Sequence, residues 1–274
     1  MRILIRTSKW AIWARRLGSL AVPLVVLPVL MHRERIIESP GFLVAMAFAA
    51  VVGVLAVLVG LVALARLWHT GDIGWGRAIA GLLLGLACLA PFFWYGHLAL
   101  SNPLATDIAT IDRGELPLIF EPGMTDLPPP RLLTVQQRQR FFPNATTRTY
   151  PLDPAQLFVL VERLVAAQGW DVRLRREPGL AGEPGRINAR IVTLLGWREE
   201  AVLRVAPIAG GSAVDMRSVS LAAPSDFGAN GRRISDFLVA LDNEVTAFLR
   251  DNPTLIGTPE SDEPSPEVDV GNGD

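Results

Sequence analysis

The chain has 274 residues, half of them hydrophobic, and a net charge of −1 at pH 7; its mean hydropathy is positive, which excludes a single ordinary soluble domain. The apolar excess lies before Ser101, while residues 101–250 carry 17 basic and 17 acidic groups, a balance that excludes the long-range attraction expected of a nucleic-acid binder. The single cysteine, Cys88, sits in the apolar part, and the three histidines (His32, His69 and His97) all precede Ser101. The later part therefore lacks the residues for Ser-His-Asp or Cys-His chemistry and for the usual His or Cys zinc sites.

Three apolar runs come first. Crossing about 30 Å of hydrocarbon takes about 20 helical residues, a length met by Gly41 to Ala65 and by Ala78 to Leu100. Leu17 to Met31 is shorter and contains Pro23 and Pro28. It spans only if Trp13, Ala14 and the snorkelling Arg15 and Arg16 extend it. A secretory signal peptide is the competing reading of this run, but it ends in Met31-His32-Arg33-Glu34, which lacks a small-x-small cleavage site. Arg2, Arg6, Lys9, Arg15 and Arg16 precede the first run, against Arg33 and Arg35 in the first connection, Arg66 and Arg77 in the second, and Arg113 after the third. The positive-inside rule then predicts a multi-pass protein of a bacterial inner membrane, with the N-terminus cytoplasmic and everything after Leu100 periplasmic. Trp10, Trp13, Trp68, Trp75, Trp94 and Tyr95 fall near the expected span ends, as interfacial aromatics do.

Residues 1–100 thus read as a three-helix transmembrane anchor and 101–150 as a proline-rich extended strap. The strap holds Asn102-Pro103, Glu121-Pro122-Gly123 and Pro128-Pro129-Pro130, with Leu116, Leu118, Ile119 and Phe120 able to lie on a domain surface. Residues 151–250 read as an α+β core of helix, four antiparallel strands and helix. Asp153 is placed to cap a helix with Pro154 at its first position and Gln156 at its third. Leu157, Leu160, Val161, Leu164 and Val165 then recur at helical spacing until Gly169. Period-two stretches follow at Trp170 to Arg175, Arg186 to Thr193, Ala201 to Ala206 and Ala213 to Val219. Ile234, Phe237, Leu238, Leu241, Val245, Phe248 and Leu249 mark a second amphipathic helix ending near Arg250. Both helices are expected on one face of the sheet. Residues 251–274 carry seven acidic groups and no basic one, a composition that predicts a disordered tail.

Alternation sets Val172, Leu174, Ile187, Ala189, Ile191, Leu203, Val205, Val214 and Met216 toward the helices, and Arg173, Arg175, Asn188, Arg190, Arg204, Asp215 and Arg217 away from them. That outward face reads either as solvated cross-strand ion pairs or as a surface for an anion such as a lipid headgroup or an acidic envelope polymer, since guanidinium groups hold phosphate and carboxylate bidentately. The segment Asp215 to Ile234 (DMRSVSLAAPSDFGANGRRI) is the most distinctive stretch after the spans. Arg217, Ser218, Asp226, Asn230 and Arg233 are its candidate binding or loop-fixing residues. Helix-start amides with arginines nearby could hold an anion; alternatively Asp226 or Asn230 caps the last helix and Arg217 pairs with Asp226.

The stretch DMRSVS…SDFGANGRRI resembles the domain-of-unknown-function family 1499 (DUF-1499), whose members show an Arg-Ser pair, a Ser-Asp-x-Gly-x-Asn stretch and basic residues opening a terminal helix. Asp107-Ile108-Ala109-Thr110, Tyr150-Pro151-Leu152 and Gly169-Trp170 are similar to further elements of that family, so that the likeness covers Ser101 to Arg250. The chain departs from the pattern at Leu221, where an arginine is common, at Arg198-Glu199-Glu200, and in lacking a Cys-containing entry segment. The resemblance implies a domain in a membrane-linked setting and no reaction. The expectation is an uncharacterised inner-membrane protein presenting a noncatalytic periplasmic binding or envelope-scaffolding domain, with no catalytic residues, metal or cofactor. Its expected partners are the lipid bilayer and an anionic envelope component or a membrane protein. The alternative is an envelope-associated hydrolase or transferase using Asp226 with Ser218 or Ser225.

Overall fold

The computed structural model describes residues 6–119 and 129–253; Phe120, Glu121-Pro122-Gly123, Pro128 and the acidic tail beyond Pro253 lie outside the described residues. Helices α1 (Lys9–Arg33), α2 (Ser39–Thr70) and α3 (Trp75–Ser101) are each long and apolar enough to cross a membrane, and the chain is a membrane protein on that ground. The first helix begins well before Leu17. Its 25 residues reach about 37 Å at about 1.5 Å per residue, because Trp13 to Arg16 continue the helix.

Small residues set the packing of the three helices. A Cβ on Gly81 would stand 2.3 Å from the Ala14 carbonyl, and one on Gly18 would stand 2.6 Å from the Gly81 carbonyl oxygen. Ala11, Ala14, Gly18 and Ala21 of α1, with Gly53, Ala56, Gly60 and Ala63 of α2, line the buried faces. Lipid tails are as apolar as leucine, so close backbone approach does the work that hydrophobic burial does in water.

The rest of the described chain folds around one sheet with strand order β1-β6-β5-β4-β3, and β2 also pairs with β6. Strands β3 (Asp171–Arg176), β4 (Gly185–Val192), β5 (Arg198–Ile208) and β6 (Gly211–Ser220) form the expected antiparallel meander. Helices α5 (Pro154–Ala167) and α6 (Ala229–Asp251) cover one face. Leu157, Leu160, Val161 and Val165 of α5 and Ile234, Phe237, Leu238, Leu241 and Val245 of α6 share one core with Ile187, Leu203, Val214 and Met216 of the strands. Asp153 caps α5 by accepting the Ala155 N–H at 2.8 Å, and Trp170 stacks on Phe237 with ring centroids 5.5 Å apart.

The segment read as an extended strap also contributes to the sheet. Asp107–Ala109 (β1) pairs with Arg217 to Val219, and Arg148–Tyr150 (β2) pairs with Ser212 to Val214, both along the open edge of β6. Between them lies a short helix α4 (Val135–Phe141), whose capping box joins Thr134 and Gln137. Strands of three residues offer no period to read, which is why composition alone reads them as linker.

The faces differ from simple alternation at one strand. A bulge between Val172 and Leu174 shifts the register of β3, so Leu174 pairs with Asn188 and Arg175 with Ile187. One extra residue exchanges the faces of everything after it. Arg175 therefore turns to the helix side, where it bonds Glu162 of α5, and Leu174 turns outward. The outward face is not open to solvent along β6 either. Leu116 and Ala109 are buried against Val202, with Ile111 and Leu118 packed beside them.

One joint between helices and sheet lies at the β4–β5 loop. The β4–β5 loop docks where α1 ends and α2 begins, with the His32 Nδ1–H donating to the Leu195 carbonyl at 2.7 Å. The His32 ring stacks on Phe42 at 4.5 Å and meets the Trp197 ring edge-on at 4.9 Å. Gly196 has φ +85°, and a Cβ there would stand 2.8 Å from the Arg33 nitrogen, so only glycine lets the loop come this close.

Candidate functional site

Strand β6 carries the Arg217-Ser218 pair, and successive side chains of a strand point to opposite faces. The candidate residues are accordingly divided. Ser218, Asp226, Asn230 and Arg233 gather on the helix side, while Arg217 lies on the other face.

On the helix side, Asn230 is fully buried and bonds in four directions. Its Oδ1 accepts from Ser218 Oγ at 2.8 Å and from Arg233 at 3.0 Å. Its Nδ2 donates to the Thr106 carbonyl at 3.2 Å and to Ser220 Oγ at 3.1 Å. Arg233 also donates to Ser218 Oγ at 2.7 Å and pairs with Glu199 of β5, which is 3% exposed. Ser220 Oγ donates to the same carboxylate at 2.6 Å. The cluster joins β5, β6, α6 and the chain leaving α3 through one set of hydrogen bonds.

Asp226 completes it from the loop before α6. Phe227 and Gly228 both take left-handed backbone, φ +51° and +77°, which folds the loop so that the Asp226 carboxylate accepts the Gly228 N–H at 2.9 Å and the Asn230 N–H at 3.2 Å. The position where a helix start could hold a foreign anion is thus filled by the chain's own carboxylate. Burial pushes the Asp226 carboxyl above its ordinary pKa, with the two amide hydrogen bonds acting against that rise. Asp226 N–H donates to the Ala105 carbonyl at 3.1 Å, and Arg232 bridges the Phe227 carbonyl and the Asn102 side chain. Asn102 caps the end of α3, and Tyr95 of α3 lies 5.3 Å from the Phe227 ring. Ser225 Oγ accepts the Phe227 N–H at 3.2 Å.

On the outer face, Arg217 pairs with Asp107 rather than with Asp226. Its Nε and Nη2 donate to the two Asp107 oxygens at 3.1 and 2.8 Å, and its Nη1 donates to the Leu116 carbonyl at 2.8 Å. Asp107 is fully buried and also receives Arg113 at 3.0 Å. Beside this pair, Glu200 accepts from Asn188 Nδ2 and from the Ile119 N–H, both at 2.7 Å; burial raises its carboxyl pKa, against the pull of those two bonds and of Arg217. Asp215 accepts from Thr110 at 3.1 Å and Thr147 at 2.6 Å. Asp107, Glu199 and Ser220 are partners that composition and spacing leave without a role. The family likeness touches all three, through Asp107 to Thr110, through DMRSVS and through the departure at Arg198-Glu199-Glu200, without assigning any of them a contact. Among the described residues no group of three or more His, Cys, Asp or Glu is placed to hold a metal ion.

Residues 125–241 match the family model described as a protein of unknown function, DUF1499. The search of curated proteins found no match for the chain. The matched stretch starts after β1 and ends inside α6, so it takes in Arg217, Ser218, Asp226, Asn230 and Arg233 but not Asp107. The part of this membrane protein that follows its three spans therefore carries a DUF1499 domain.

Proposed function

We propose that the chain is a bacterial inner-membrane protein whose α+β domain stands in the periplasm as a noncatalytic binding or scaffolding module, braced against its own spans. The observation that carries this reading is the Asp226–Asn230 cluster, in which the motif's polar groups are spent on the Ala105 and Thr106 carbonyls, the Gly228 amide and their own neighbours. Such a cluster fastens the exit of α3 to the domain. It leaves neither Ser218 nor Asp226 poised over an open cleft, which favours fastening over nucleophilic chemistry. The orientation is supported by the cations Arg6, Lys9, Arg15, Arg16, Arg66 and Arg77 toward the helix ends remote from the domain, against Arg33 and Arg35 at the near end. The expected partners are the bilayer itself and an anionic envelope component or a membrane protein.

Reporter fusions after Leu100 and after Arg250 test the orientation. A reporter active only after export should work at both sites, and activity of a cytoplasm-only reporter at either overturns it. Asp226→Ala and Arg217→Ala test the brace, which predicts loss of fold stability; a folded variant that has lost only partner capture would make the motif a binding site.

A further inference from the structure

On the outer face at the end of the sheet far from the helices, Arg176, Arg186 and Arg204 stand in cross-strand register. Arg176 is paired with Arg186 across β3 and β4, and Arg186 with Arg204 across β4 and β5. Neighbouring strands are about 4.8 Å apart, so the row spans about 10 Å. Like charges directly opposite one another on a sheet are destabilising. Carboxylates within ion-pair distance stand only at the Arg204 end, Glu115 at 3.2 Å and Asp215 at 3.5 Å, while Arg186 feels Glu200 at longer range.

The three side chains line one cavity of about 300 Å³, with Glu115, Glu183 and Gly185 on its other walls. Arg186 Nε and Arg204 Nε are buried and have no hydrogen-bond partner among the described residues. A buried donor without an acceptor marks a place where an acceptor belongs. Three guanidinium forks across about 10 Å match a group with more than one negative oxygen cluster, because each fork binds phosphate bidentately.

We propose that this arginine row is a binding site for a ligand carrying linked phosphate groups, drawn from the aqueous phase. Position selects that source over a lipid headgroup. Arg198 lines a cavity with His32 and Ser39 at the joint, and Arg204 is six residues further along β5, about 20 Å at strand rise. The site deepens the reading of a binding domain by giving it a place and a ligand chemistry. It rests on the brace and orientation argued above only for the compartment that supplies the ligand, since binding by purified protein is indifferent to topology.

The test uses the full chain in detergent, with pyrophosphate as probe and sodium chloride of matched ionic strength as control. Pyrophosphate should raise the midpoint of thermal unfolding of the natural protein, and Arg186→Gln should weaken the binding at least tenfold. Arg176→Gln, at an exposed position, should weaken it in the same direction. Without ligand, Arg186→Gln should unfold at the same temperature as the natural protein or higher, because it breaks a row of like charges. The site is overturned by no shift beyond the chloride control, by an Arg186→Gln variant that keeps the full shift, or by one that melts lower without ligand. A shift produced by a short-chain phosphatidylglycerol and not by pyrophosphate overturns the aqueous source.

Discussion

At the end of the sheet beside the helical bundle, buried acidic groups meet donors from the chain itself: Glu199 faces Arg233, Asp107 faces Arg217, and Asp226 faces two backbone amides. At the far end, three arginines stand side by side in cross-strand register and line one cavity. Both ends are rich in arginine, so composition does not separate them. The difference is what each guanidinium already holds. A cluster whose donors and acceptors are matched within the chain is built to fasten, and one that leaves buried guanidinium donors without an acceptor is built to receive. The stretch most conspicuous in the sequence, SDFGANGRRI, belongs to the first kind.

The contrast breaks most sharply if the fastening cluster can be emptied without harm. Arg233→Ala leaves the Glu199 carboxylate, 3% exposed, without its cation, and removing one partner of a buried pair costs about 3–5 kcal/mol. Thermal or chemical unfolding of the full chain should register that loss, and a change below about 1 kcal/mol would mean that the cluster does not hold the fold. A smaller effect is expected for Gly228→Ala. Its φ of +77° costs an L-residue about 1–2 kcal/mol, and the added Cβ would stand 2.2 Å from the Asn102 side chain. That variant should also loosen the tie between α3 and α6.

Glu200 offers a test by sign. Its carboxyl pKa is raised by burial, so its contribution is fully present below the unfolded value, about 4.3, and is lost as pH rises through the folded value. Glu200→Gln keeps an acceptor for the Ile119 and Asn188 donors and removes the titration. Measured against the natural protein, the variant should gain stability as pH rises from about 4 to 7; a relative loss over that range would show that the ionised form is the one the fold favours. The smallest change belongs to the surface pair Arg163–Glu244, with the arginine side chain 62% exposed. Arg163→Ala should cost no more than about 0.2–1 kcal/mol by the same unfolding measurement, falling further at high salt.

Much of the architecture is legible in the chain because it repeats. The long apolar runs, the helix entry at Asp153-Pro154, the alternation of β4 to β6 and the heptad-like stripe of α6 each carry many residues of consistent signal. What escapes is whatever depends on one residue or on distant pairing. A single inserted residue in β3 sends Arg175 to α5 and turns Leu174 outward. Strand β1 is three residues long, yet it brings Asp107 to Arg217 across 110 positions of sequence. The candidate residues themselves were visible as a motif, but their division between two faces of β6 depends on the strand's pleat and on which segment covers each side. Arg176 and Arg186 carry no motif at all. Arg186 shares the parity of Asn188 and Arg190, which is enough to place it outward, but nothing in the sequence shows that Arg204 and Arg176 flank it.

Hydrogen exchange of the full chain in detergent, followed peptide by peptide for the natural protein and for Arg233→Ala, tests most directly whether the motif is a brace. The account predicts that exchange rises together in residues 105–109, 217–220 and 226–233, the three stretches that the cluster ties together. Exchange that rises in the first turns of α6 alone, with residues 105–109 as protected as before, would contradict it.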